Sequence, residues 1–411
     1  MKKISIIIFL AGSLLGSCKK FLQQPPYNNI SKEDIFSDFE GARTTIVGCY
    51  DMLKSTSYYL RDFYMYPEIT GGNVKYSNLA NPQLYYSYNF TQDSVNNDMA
   101  GFYKTAYTII YSANNILENI NKVTDANLYQ KNRLLADAYS IRALVNFDLV
   151  RTFAQPYSYT ADASHPGIIL KTKNNAVTDL PAAPSSVKIV YQQIIQDLDS
   201  ALLHYGNSTN IYTAGSEKTW MSADAAKALL CRVSLYTGDW QTVIDVASDL
   251  IGSNKYPLLT NSKYVSSWLG KNISSESIFE LAFGNRTGGS LGDYFNSQST
   301  LYCQFSGSND LLSLFDPGDI RGSSNMFVTQ YINGNPYYFS RKYQGVADSA
   351  NNIKLLRSSE LYLNRAEAYA QMNQPDLALP DLNKIRKRAN PSDPGISLTD
   401  PQEILDEIAK E

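Results

Sequence analysis

Apolar residues recur along much of the chain at spacings of three and four, the period of one helix face. In "RLLADAYSIRALVNFDLV" they fall at Leu134, Ala138, Ile141, Val145 and Leu149. In "SVKIVYQQIIQDLDSALL" they fall at Val187, Val190, Ile194, Leu198 and Leu202. Each stripe predicts an amphipathic helix. Residues 155–186 between them carry four prolines and no period, which predicts a long connection. "SADAAKALLCRVSLYTGDWQTVIDVASDLI" predicts two helices joined at Thr237-Gly238-Asp239, with Gly238 as a left-handed C-cap. "SSELYLNRAEAYAQMNQPDLALPDLNKIRKRA" repeats that design. Leu363, Ala366 and Ala370 line its first helix, a turn falls at Asn373 to Pro375, and Leu379, Leu382, Ile385 and Ala389 line its second.

In both segments an alanine-rich helix ends in a tyrosine, then a turn, then a helix with an early alanine (Ala247, Ala378). That is the tetratricopeptide pattern in degenerate form. "AGFYKTAYTIIYSANNILENI" with the 133–150 helix makes a third pair. One pair cannot bury its apolar faces alone, so the pairs are expected to stack. The predicted fold class is mainly α, a tetratricopeptide-like helical-pair scaffold. Residues 55–95, 255–275 and 284–345 lack this period and read as long loops with short strands, such as "SIFELAF" and "NPYYFSRKY". Loops of this length usually carry function.

The N-terminus has a different pattern. Met1-Lys2-Lys3 is basic, Ile4 to Leu15 is almost wholly apolar, and Gly16-Ser17 precede Cys18. This order is that of a secretory signal peptide over residues 1–17, too short to span a bilayer. "KKFLQQPPYNNIS" then reads as a tether over 18–30, because Pro25-Pro26 forbid a regular element there. The body is expected from Ser31, the N-cap of "SKED", with an N-terminal part to about residue 250 and a C-terminal part from about 251 to 411.

Composition narrows the function. A net charge of −3, more negative still without Lys2 and Lys3, argues against nucleic acid as a partner. Three cysteines besides Cys18 leave at least one unpaired and imply no disulfide framework. His165 and His204 are the only histidines, so neither a metal site, a cofactor nor a histidine-based triad is expected. "FDPGDIR" lacks calcium-loop spacing and reads as a turn held by an Asp–Arg pair. Glu68, Asp93, Asp98 and Asp293 lie in the loop-rich regions, where two facing carboxylates could cleave a glycoside. Capping and solvated roles are the commoner fate of such residues. The chain is therefore read as non-enzymatic.

The tyrosines, 31 in all, are the clearest chemical signal. Tyrosine offers a flat apolar face with a polar tip, which suits the C–H face of a sugar ring. About two thirds of these rings are expected to pack loops onto helices. The binding face is predicted on the 71–90 and 286–305 loops. Gly71-Gly72 permits a tight turn that presents Asn73 and Tyr76, and Tyr85 and Tyr88 follow in a strand-prone run. The second loop supplies Arg286, Tyr294 and Tyr302.

Several segments together resemble the SusD/RagB family of Bacteroidetes outer-membrane lipoproteins. They are "LLGSCKKFLQQPP", "AYSIRALVNFDLVRTFAQPY", "AKALLCRVSLYTGDW", "ESIFELAF", "DPGDIR" and "RSSELYLNRAEAYAQ…LPDLNKIRKRA", in family order. "LLGSC" also resembles the bacterial lipobox, which implies that Cys18 is lipidated and anchors the protein to the membrane. The resemblance implies an outer-membrane protein facing the cell exterior. It would bind oligosaccharides, or peptides in some members, and deliver them to a SusC-like TonB-dependent transporter. It further implies a tail beyond the helix in which "ILDEIAKE" stops, whose loss would leave part of the helical core uncovered. From other classes, a helical glycosidase and a protein-binding tetratricopeptide adaptor remain as alternatives.

Overall fold

Helix capping and alternating burial account for the main elements of the computed structural model. It describes residues 32–77, 82–174, 182–213, 215–269, 273–283, 291–295, 304–343 and 351–411. The expected signal segment, Cys18, the expected tether and Ser31 lie outside the described residues. Among those described, ten helices have nine residues or more: α1 (Phe39–Leu53), α2 (Asp62–Thr70), α3 (Ala100–Asn119), α4 (Leu128–Phe153), α5 (Val187–Tyr205), α6 (Ala223–Thr237), α7 (Trp240–Gly252), α8 (Ser358–Gln371), α9 (Pro375–Ala389) and α10 (Pro401–Lys410). Side-chain oxygens of Asp38, Ser186, Ser222 and Asp239 cap four of the N-termini, each satisfying a backbone N–H that the helix leaves unpaired. Asn127 and Gln130 form a reciprocal capping box at α4. Gly238 takes the left-handed conformation (φ 76°) that ends α6, as its place in the sequence predicts.

The helices stack in chain order. α1 packs on α3, α3 on α4, α4 on α5, α5 on α6, α6 on α7, α7 on α8 and α8 on α9, with α10 against α8 and α9. Three helix pairs are those predicted. One finding goes beyond the stripe seen in the sequence: α4 is buried on every side from Ser140 to Val150. Its charged residues are accommodated because each finds a partner. The Arg142 guanidinium donates to both Asp197 oxygens, at 2.7 and 2.6 Å, and to Asn114 and the Thr172 carbonyl. Asp148 accepts from the hydroxyls of Tyr58 (2.8 Å) and Tyr59 (2.5 Å) and from Arg151 (2.6 Å). Asp137 accepts from Tyr205, Tyr212 and Arg133. Buried charges persist only when paired in this way.

Strands occupy the loop-rich part. β1 (Val74–Tyr76), β3 (Phe305–Gly307), β5 (Asn335–Ser340) and β4 (Phe327–Ile332) form an antiparallel sheet in that spatial order, and β2 (Ser277–Leu281) pairs with β6 (Ile353–Arg357). β2 and β5 lie where "SIFELAF" and "NPYYFSRKY" predict strands. Asn333-Gly334, both at positive φ, make the two-residue turn between β4 and β5.

Two expectations about residues 55–95 are corrected. The segment contains α2, whose buried residues are only Asp62, Met65 and Ile69 and whose interior holds Pro67, so no apolar stripe announces it. Tyr85–Tyr88 is a turn of helix, not a strand, because left-handed Leu84 (φ 55°) turns the chain into it. Short helical turns also interrupt the other two loop regions.

Candidate functional site

The loop from Pro82 to Met99 passes over the body as a framed polar segment. The Gln83 backbone N–H donates to Gln304 Oε1 (2.9 Å), the Gln83 carbonyl accepts from Tyr76 Oη (2.6 Å), and its side chain accepts from Arg61 (2.5 Å). Asp98 accepts from the backbone N–H and hydroxyl of Ser87 at 2.7 and 2.9 Å, which ties the Tyr85–Tyr88 turn to the start of α3. Asp93 accepts from the backbone N–H groups of Asn96 and Val95, both 2.7 Å, and from the Asn96 side chain. These bonds, that from the Asn96 backbone foremost, hold its carboxyl below the usual range.

Between this loop, α2 and the end of α4 lies an open pocket of about 250 Å³, lined by Tyr66, Gln92, Asp93, Asn97, Met99, Thr152 and Phe153. Gln92 Oε1 is buried there with no hydrogen-bond partner among the described residues. Tyr66 and Phe153 supply the pocket's aromatic wall, and the loop exposes two further rings. Phe153 is 37% exposed, stacked on Phe102 (5.9 Å, 13°) and edge-on to Tyr103 (5.3 Å). Tyr85 is 44% exposed and touches Tyr86 edge-to-face. Phe90, two residues before Gln92, is 74% exposed and held at φ 53°. A bulky residue in the left-handed region is uncommon, and such strain concentrates at functional positions.

The predicted site residues divide between several places. Tyr85 stands exposed on the Pro82–Met99 loop and does not line the open pocket. Tyr76 stacks on Phe305 (5.0 Å, 28°) and leans on Tyr88 (4.3 Å); both tyrosines are half-buried in a small cluster with Met65, Ile69 and Leu84. Tyr294 is buried in the same cluster under the Arg61 guanidinium. The Asn73 side-chain amide donates to Glu68 (2.9 Å) and lines a different, inner cavity of about 540 Å³. Arg286 and Tyr302 lie outside the described residues. Phe90, Phe153, Gln92 and Asn97 were not singled out by the sequence. Phe90 had a usable signal, as a lone aromatic in the polar run "NFTQDSVNND". Phe153 had none, because it continues the α4 stripe four residues past Leu149.

Asp319 and Arg321 form the expected pair, with Nη2 to Oδ2 at 2.6 Å. Glu68, Asp93 and Asp98 are engaged in the local bonds given above. Among the described residues no group of three His, Cys, Asp or Glu could hold a metal ion, and no helix is long and apolar enough to cross a membrane.

Two family models match the chain. One, described as starch-binding and associating with the outer membrane, covers residues 20–235; the other, the SusD family, covers 287–411. SusD-like protein P38 of Formosa agariphila is 24% identical, over 93% of this chain and 81% of its own length. Two solved SusD superfamily structures are each 25% identical and cover 91% of this chain and 85% of their own. The one from Bacteroides vulgatus superposes with a TM-score of 0.80 and the one from Bacteroides thetaiotaomicron with 0.78.

Proposed function

The chain belongs to the SusD family, and from that membership we propose that it captures oligosaccharides on the open pocket and delivers them to a SusC-like TonB-dependent transporter. The observation that carries this reading is a pocket with the aromatic walls of Tyr66 and Phe153 and the polar walls of Gln92, Asp93 and Asn97, on a loop that also exposes the rings of Tyr85 and Phe90. Flat apolar faces stack on sugar rings while amide and carboxylate groups take the hydroxyls. The starch-binding description of the matching model supports a glycan over a peptide. Binding without turnover is the proposed activity, since the carboxylates near the pocket are occupied by the loop's own N–H and hydroxyl groups.

Of the predicted residues, Tyr85 is retained as a ligand contact, and Tyr76, Tyr88 and Tyr294 are assigned to holding the loop. Outer-membrane attachment through Cys18 completes the proposal, because several acyl chains hold a protein at a membrane where one would exchange. Calorimetry against maltohexaose, cellohexaose, xylohexaose and mannohexaose tests the binding reading. One of them is expected to bind, and Phe153→Ala to weaken it. Binding that is indifferent to Phe153, Phe90 and Tyr85 together moves the site elsewhere. Retained palmitate labelling in Cys18→Ser removes the anchor from the proposal.

A further inference from the structure

The inner cavity lies between the four-stranded sheet and the α8–α10 helices, and its wall carries both apolar and charged groups. Leu311, Phe315, Met326 and Phe327 supply apolar surface. Arg321, which also packs on Phe315, gathers with Lys342, Arg357 and Arg388 around Tyr264. The wall also carries carboxylates: Glu68 accepts from Asn73, Glu360 pairs with Arg232, and Glu411 lines it as well. Arg321 is matched by Asp319 and Glu411, at 2.6 and 2.7 Å. Glu276 is shared: it meets Arg388 at 2.5 Å and Arg357 at 3.7 Å. Lys342 has the face of Trp268 at 4.7 Å and, among the described residues, no carboxylate within ion-pair distance. The same indole also faces Lys354 at 4.8 Å and Arg357 at 5.3 Å.

Three cations share one indole, two arginines share one carboxylate and Lys354 has Glu280 at 3.9 Å, so Lys342 alone of these five cations has no carboxylate within ion-pair distance among the described residues. The titrating groups register the clustered positive charge. Burial opposes ionisation of the Tyr264 phenol, yet Lys342, Arg357, Arg388 and Arg321 outweigh it and hold the phenol below the ordinary tyrosine range. Burial lowers Lys354 against the opposing charge of Glu280, with Arg357 and Lys342 adding to the lowering. Partial burial weakens the screening of such charges, so an anion entering here would meet a stronger field than at the open surface.

We propose that this cavity is a second binding site, which takes a carboxylate-bearing ligand with its charge toward Lys342 and Arg357 and its apolar face toward Phe315 and Phe327. A volume of about 540 Å³ lies in the range of small-molecule pockets. The Arg357 side chain is 30% exposed within the cavity wall, and its guanidinium supplies the planar fork that carboxylates accept. The site is separate from the open pocket, shares none of its residues, and stands or falls independently of it.

The carboxylate could belong to an acidic sugar or to a peptide terminus, and the test separates the two. Calorimetry on the full chain compares digalacturonate with uncharged galactobiose, and the dipeptide Ala-Phe with its amide. At least one acid is expected to bind about tenfold or more tightly than its neutral counterpart, and to weaken several-fold when NaCl rises from about 50 to about 500 mM. Lys342→Gln should lower that affinity at least about fivefold and Lys342→Arg should restore it, with unchanged far-UV circular dichroism and melting in both. Phe153→Ala should leave it alone. Neither acid binding to folded protein, equal binding of acid and neutral forms, or an unmoved affinity in Lys342→Gln would each overturn the proposal.

Discussion

The α4 hub and the open pocket are both rich in aromatic residues, and they use them in opposite ways. Tyr58 and Tyr59 stack on each other at 4.7 Å, are buried, and direct both hydroxyls at Asp148. Burial first, then the Asp148 charge, keeps both phenols protonated far above the ordinary range. Among the described residues Tyr85 meets no such carboxylate, and Tyr85, Phe90 and Phe153 keep ring surface in water. The tyrosine excess of the sequence thus has two physical origins. Where a phenol reaches a buried carboxylate the ring is structural; where the ring faces outward it is available for stacking.

The hub can be broken, and that should be the largest effect. Asp197→Ala leaves the Arg142 guanidinium buried with only neutral partners. Removing one member of a buried ion pair costs roughly 3–5 kcal/mol. Urea denaturation should show a loss of unfolding free energy of that size, read as a lower midpoint at unchanged slope. A loss below about 1 kcal/mol would mean that water reaches Arg142. A second measurement sharpens the contrast from the body's side. Burial pushes the thiols of Cys49 and Cys231 up to about 12. Alkylation at about pH 8 should leave both unmodified in folded protein and label them in urea, as peptide mass spectrometry would read out.

The helical pairs were legible because their apolar stripes, Gly238 and Pro375 are all local signals. The hub was not legible, since Arg142 and Asp197 are far apart in sequence and nothing in their spacing pairs them. α2 escaped because three buried residues and an internal proline make no stripe. The candidate site was read in part. The 71–90 loop was located, but its residues separate in space: Asn73 to the inner cavity, Tyr76 and Tyr88 to packing, Tyr85 to the surface. A composition argument cannot divide one loop among three environments, because that division depends on Phe305, Gln304 and Asp98 arriving from elsewhere in the chain.

On the pocket side the expected effects are smaller and fall on affinity. Phe153→Ala removes a ring that both lines the pocket and stacks on Phe102, so it should weaken glycan binding about tenfold. It should also lower stability by about 1 kcal/mol, through the lost stacking contacts. Tyr85 meets one ring, Tyr86, among the described residues, so Tyr85→Ala should weaken binding several-fold while leaving the melting temperature in place. Unchanged affinity in both variants, measured by calorimetry on whichever hexaose binds, would leave these rings as surface packing.

The smallest effect is also the most discriminating, because its two readouts should move in opposite directions. Phe90 sits at φ 53°, where a side chain costs about 1–2 kcal/mol relative to its relaxed backbone. Glycine carries no such penalty there, but loses about 0.5–1 kcal/mol through its freer unfolded chain. The ring is 74% exposed and contributes little burial to offset the change. Phe90→Gly should therefore stabilise the protein slightly, by up to about 1 kcal/mol, while weakening glycan binding several-fold. A ring kept only to pack the loop would give the reverse in stability, since its removal would then cost contacts. If Phe90→Gly melts lower and binds as before, Phe90 belongs with Tyr76 and Tyr88 among the residues that hold the loop, and the stacking surface reduces to Tyr85 and Phe153.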